Sequence, residues 1–265
     1  MKKGLRIFSY LPNPRVWKAE IAAKISGIPL EILGDKPSEI PNWLWDVEPK
    51  KINDSEKRNL SSFEKKGKRG FSSSLFKTDK FLELIPFGTV PAAFSLDGKI
   101  GIFESNSILR AVARQDEVNN LYGETIFDAS RIDSFLDSGL VFSREHQEYL
   151  FGLKDMNDSL YKRMKSAYEF FLNGIEQSLK NSEYIGFDYL TIIDISFFCD
   201  YSQFLREGHY EEDLKSNGYS LISESFPKEF PKTFDHLMKL SKKEEFSSVI
   251  GTYLDWYKKK LKKAN

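Results

Sequence analysis

Cysteine is almost missing from this sequence. Cys199 is the single one in 265 residues, which excludes an internal disulfide and a metal cage built on thiolates, and it fits a reducing compartment. Histidine is nearly as scarce. His146, His209 and His236 share no ligand spacing, so no metal site is expected from them. Net charge is absent too, with 39 basic side chains against 39 acidic ones, and the global balance offers no pull on nucleic acid or on an anionic membrane. Long apolar runs are lacking as well: no stretch approaches the roughly 20 apolar residues of a membrane span, and MKKGLRIFSY has no signal-peptide core before Pro12. The expectation is a cytoplasmic protein that engages neither nucleic acid nor membrane.

The stretch Leu84 to Val112, LIPFGTVPAAFSLDGKIGIFESNSILRAV, is the most informative part of what is present. Val90-Pro91-Ala92-Ala93-Phe94 and Ile100-Gly101-Ile102-Phe103 read as short buried strands. Asp97-Gly98 between them predicts a type I′ hairpin, in which both central residues take positive φ. Glu104-Ser105-Asn106-Ser107 then breaks the apolar run, and Ile108, Leu109 and Val112 recur at helical spacing, so Ser105 is the natural N-cap of a helix. The first turn of such a helix offers amide donors and the positive end of a macrodipole to a ligand carboxylate.

P-x-G-x-V-P followed by an acidic-Ser pair at a helix start resembles the glutathione-binding half of the cytosolic glutathione transferase superfamily. The resemblance implies that Val90-Pro91 is cis, that the Val90 backbone pairs with the cysteinyl part of glutathione beside Pro91, and that Glu104 and Ser105 hold the γ-glutamyl end. It also implies a thioredoxin-like α/β N-terminal domain over residues 1–117, docked to an all-α domain over residues 124–265. A homodimer is the family's usual assembly.

Earlier in the chain, Leu5 to Tyr10 reads as a first strand. Asn13 and Pro14 then cap and open an amphipathic helix that Gly27 ends, and Pro29 to Leu33 reads as a second strand. Catalytic relatives carry Tyr, Ser or Cys near the first strand's exit, and alignment on the helix places Asn13 at the serine position. A Pro-Asn pair there is similar to nu-class and yeast nitrogen-regulator type members. The run Tyr10, Asn13, Arg15 and Lys18-Ala19, with Phe103-Glu104-Ser105-Asn106, also resembles the elongation-factor gamma subunit. Asn13 is therefore a candidate to steady the glutathione thiolate, with a plain N-cap as the alternative. Tyr10 is the second catalytic candidate, because Ser9 points to the opposite face of the strand.

Residues 35–80 are the anomaly, since relatives cross from the second strand to the proline turn in about half that length. Pro49 to Gly70 holds eight Lys or Arg against three Asp or Glu, which reads as a solvated, mobile loop serving as a lid or tether. Trp43 and Trp45 are expected to anchor it or to shape the glycyl end of the site. Thr89 stands where relatives often have a basic residue, and Lys77 or Arg69 are the candidates to replace it.

The rest of the chain reads as helix, with main segments at 126–151, 160–179, 191–205 and 232–260. Thr191 and Asp194 form a capping box, and Cys199 on an apolar stretch reads as a buried structural thiol. The functional expectation is a glutathione-dependent transferase or thiol-exchange enzyme that also takes a small hydrophobic or electrophilic co-substrate. The alternative is a non-catalytic interaction module like the elongation-factor gamma subunit.

Overall fold

The computed structural model describes residues 3–67 and 70–264, and the chain divides into two compact units, 1–119 and 120–265. In the first unit, β1 (Leu5–Tyr10) leads through α1 (Pro14–Ser26) to β2 (Leu30–Asp35). The segment that follows contains β3 (Trp43–Trp45), β4 (Lys50–Lys51), α2 (Asp54–Asn59), β5 (Glu64–Lys66), β6 (Ser74–Lys77) and α3 (Asp79–Leu84). The proline turn then enters β7 (Ala92–Ser95), β8 (Gly101–Phe103) and α4 (Ser105–Ala113). The main sheet has the order β2-β1-β7-β8, with β1 parallel to β2 and antiparallel to β7, as in a thioredoxin-like domain.

The long crossing departs from the mobile-loop expectation, because it builds a second sheet of order β4-β3-β6-β5. Its strands alternate in the way a two-sided sheet requires. Trp43, Trp45 and Leu75 face a core shared with Phe8, Ala92 and Phe94 of the main sheet and with Phe81 of α3. Leu44 and Phe76 face the other way, into a satellite cluster with Ile52 and Leu60. Phe8 sits between the two tryptophans at ring separations of 5.6 and 5.5 Å. The lysine-rich strands β4 and β5 flank this apolar pair, and their side chains lie exposed at the edges. Lys51 bonds Asp35 at the end of β2 (2.6 Å), and that hydrogen bond holds the Asp35 carboxyl below the usual carboxylate range. Arg69, one candidate for the glycyl contact, lies outside the described residues.

Two local expectations are corrected. The hairpin between β7 and β8 is not type I′. Only Gly98 has positive φ (68°), the Gly98 amide donates to the Ser95 carbonyl, and the Ser95 amide donates to that of Ile100, so the loop is longer than two residues. The cap of α4 is Glu104 rather than Ser105. Glu104 stands at φ 66°, ψ 126°, which leaves Ser105 as the first helical residue.

The second unit is helical. It contains α5 (Ile126–Phe151), α6 (Asp158–Ser178), α7 (Ile192–Phe204), α8 (Glu211–Ser216), α9 (Phe226–Glu229), α10 (Pro231–Leu240), α11 (Glu244–Ile250) and α12 (Asp255–Ala264). The single helix expected over 232–260 is three helices. A turn at Ser241 to Lys243 and Gly251 at φ 53° interrupt the pattern. The Thr191/Asp194 capping box forms at the start of α7, all of whose residues are buried. His236 from α10 joins it at 2.8 Å from Asp194 Oδ1. Cys199 is fully buried. Among the described residues, no helix is long and apolar enough to cross a membrane.

Candidate functional site

Strand register brings the candidate residues to one end of the main sheet. Phe8 pairs with Ala92, and Ala92 pairs with Phe103. Tyr10 closes β1, Val90 stands two residues before β7 and Ser105 two residues after β8, so all three lie at the same end of the sheet. This is the end at which β1 and β2 finish, the carboxyl edge where α/β sheets commonly hold ligands.

At the exit of β1, the Leu11-Pro12 bond is cis and Asn13 caps α1. Asn13 is fully buried. Its Oδ1 accepts from the Arg15 amide (2.9 Å), and its Nδ2 donates to Ser9 Oγ (3.0 Å). Both polar ends of the side chain are thus committed within the protein. Ser9, equally buried, is the strand residue that faces inward, whereas Tyr10 is half-buried and meets Phe71 of the long crossing edge-on at 6.4 Å.

Across the sheet end, the Val90-Pro91 bond is cis, as the resemblance implies. Val90 is half-buried against the aromatic core that holds Phe8 and Trp45. Gly88, at φ 58°, shapes the approach to this turn. Lys77 from β6 donates to the Gly88 carbonyl at 2.7 Å, and its Nζ lies 4.5 Å from the centre of the Trp45 ring. The crossing therefore delivers a cation beside the turn, in the region where Thr89 supplies none. Trp45 reaches the site through this contact, while its indole N–H is buried without a partner.

The third edge is the start of α4. Glu104 is exposed, and the Ser105 hydroxyl is half-exposed. Among the described residues, neither side chain is engaged by another group. Asn106, one step further, is buried (3% exposed) and accepts a hydrogen bond from the Lys18 ammonium at 2.9 Å. Lys18 itself is 1% exposed. Sequence reasoning missed this lysine as a site residue. The available signal was a charge set directly between Trp17 and Ala19 on the apolar stripe of α1.

No protein-family model matches the chain. An elongation factor 1-gamma of Prunus avium is 27% identical over 183 residues, which covers 66% of this chain and 39% of the relative. Glutathione S-transferase F9 of Arabidopsis thaliana is 29% identical over 140 residues, covering 47% of this chain and 63% of that protein. The chain thus spans well under half the length of the elongation-factor relative it matches. Among solved structures, a glutathione S-transferase of Methylobacillus flagellatus with glutathione bound superposes with a TM-score of 0.64 at 12% identity, over 92% of this chain and 98% of that one. That likeness is one of fold. Together with the sequence relatives, it shows the resemblance to the glutathione transferase superfamily, including its elongation factor 1-gamma branch.

Proposed function

We propose, for a chain with the glutathione transferase fold, that the first unit binds glutathione where Tyr10, Val90 and Ser105 converge, and readies its thiol for transfer to an electrophile or for exchange with a disulfide. The observation that carries this reading is Glu104. A non-glycine residue at φ 66° is held against its own preference, at a helix start whose acidic and hydroxyl side chains engage no other group among the described residues. Strain kept at an exposed polar pair is characteristic of a ligand clamp.

In this reading the Val90 backbone, next to Pro91, pairs with the cysteinyl part. Ser105 and Glu104 take the γ-glutamyl end, where the first turn of α4 favours a carboxylate, and Lys77 takes the glycyl carboxylate. Glutathione supplies the reacting thiol. Asn13 acts as a positioning residue: by capping α1 it aims the helix's positive end at the sulfur, which favours the thiolate. Tyr10 flanks the sulfur. A homodimer and a cytoplasmic location belong to the same reading.

A second reading is a non-catalytic interaction module of the elongation factor 1-gamma kind. It is favoured by one observation: both polar groups of Asn13 are already committed to Ser9 and Arg15. Calorimetric titration with glutathione and its disulfide, followed by a conjugation assay with a general electrophile, separates the two. Saturable binding with turnover supports the enzyme. Binding without turnover leaves a glutathione-binding module, and neither result leaves the interaction module alone.

A further inference from the structure

Among the described residues, Lys18 is the one lysine in the set of largest fully buried side chains, at 1% exposure, and nothing in the proposed chemistry uses it. A buried ammonium is costly to desolvate, so its place calls for a compensating role. Lys18 lies on α1 five residues after Asn13, and its Nζ hydrogen bonds Asn106 Oδ1 at 2.9 Å. Asn106 follows Ser105 directly, within the first turn of α4. The lysine thus ties the helix that starts at the thiol end of the site to the helix that starts at the glutamyl end.

We infer that Lys18 is a positioning residue for the glutamyl subsite: its buried ammonium fixes the first turn of α4 through Asn106 and adds positive field to the place where the γ-glutamyl carboxylate docks. This rests on the glutathione-binding reading and deepens it. The field argument is physical. A charge in a dry environment acts over a greater range than one in water, and it reinforces the α4 amides, which already favour an anion. The tether argument is geometric. Glu104 and Ser105 project from a turn whose next residue is anchored to a different helix, so the ligand meets a preorganised turn.

Three variants of the full chain test this by calorimetric titration with glutathione. Lys18→Met keeps the apolar stem and removes the charge, and it is expected to weaken binding about tenfold or more. Lys18→Arg keeps the charge and is expected to recover most of that loss. Asn106→Asp keeps the tether, now as an ion pair, and cancels the field. A purely structural tether would leave affinity unchanged in Asn106→Asp, whereas the inference expects a loss of several-fold with an unchanged melting temperature. This variant also carries the test if Lys18→Met fails to fold. A cycle with Ser105→Ala adds a second readout: in the Lys18→Met background, losing the hydroxyl should have less effect than in wild type, because the turn is no longer held. Wild-type affinity in both folded Lys18→Met and Asn106→Asp overturns the inference and leaves glutathione binding standing. A wild-type protein that takes up no glutathione overturns the parent reading and this inference with it.

Discussion

Glu104 and Asn13 are the residues at this sheet end where local structure and the proposed function meet. Glu104 occupies a backbone region that glycine enters freely, and such strain is worth on the order of 1–3 kcal/mol. Glu104→Gly is therefore expected to stabilise the fold by about 1 kcal/mol, once the greater freedom of glycine in the unfolded chain is subtracted. It should weaken glutathione binding at the same time. Urea unfolding and calorimetry on one sample check both, and a destabilised Glu104→Gly would show that no strain is stored there. Ser105→Ala should weaken binding by roughly 1–3 kcal/mol, the range for a hydrogen bond to a charged group, with little change in stability. For Asn13 the two roles are separable. Asn13→Ala removes the cap at about 1 kcal/mol and strands the buried Ser9 hydroxyl. Asn13→Asp retains the acceptor for the Arg15 amide but sets a negative charge beside the sulfur. If conjugation by Asn13→Asp stays at the wild-type rate, Asn13 serves the thiolate only through the cap it gives α1, and its side chain does not face the sulfur.

Among the elements, those with long, periodic patterns and explicit stop signals were legible in the sequence. Asn13-Pro14 and Gly27 bound α1, and Thr191 with Asp194 opens α7, as their chemistry dictates. The second sheet was not legible. Its strands β3, β4 and β5 are two or three residues long, too short for alternation to register, and the lysines of β4 and β5 gave the segment the composition of a loop. Its order comes from a few large side chains instead, above all Trp45, which is 1% exposed and packs on Phe8, Phe71 and Phe81. The Val90-Pro91 and Glu104-Ser105 motif marked two local features that the fold sets at this end of the sheet, a cis bond and a helix start. The Lys18–Asn106 and Asn13–Ser9 bonds were hidden, because each depends on a chain reversal that spacing does not encode. Trp45 also supplies a prediction at this scale. Trp45→Ala should destabilise the first unit by about 3–5 kcal/mol. Trp45→Phe should be far milder, since it keeps an aromatic ring and removes an indole N–H that is buried without a partner. Equal losses in the two variants, read from denaturant midpoints, would mean that the indole N–H is bonded in solution.

For the molecule as a whole, basic and acidic side chains are equal in number, and pH is expected to act on stability in part through the few ionisable groups that the fold buries. Glu207 is the clearest of these. It is completely buried, and its carboxylate accepts hydrogen bonds from Tyr149 Oη, the Ser223 hydroxyl and the amides of Ile222 and Ser223. Burial is the dominant influence and raises its pKa above the ordinary 4.5, with the four donors opposing that rise. The direction of linkage follows. Between 4.5 and the raised folded value, the folded protein binds more protons than the unfolded chain, so its stability falls as pH rises through that window. Below 4.5 both states are protonated, and the contribution is fully present. Tyr149, raised first by burial and then by Glu207, stays protonated throughout and keeps donating. Glu207→Gln removes the titration but places an amide NH2 among donors, so it should be less stable than wild type at every pH and should lack the fall that sets in above 4.5. Urea unfolding of the full chain at a series of pH values from 4 to 8, followed through the helical signal, measures both curves. If wild type and Glu207→Gln change in parallel with pH, the four hydrogen bonds have offset burial and Glu207 is ionised in the fold with no net shift.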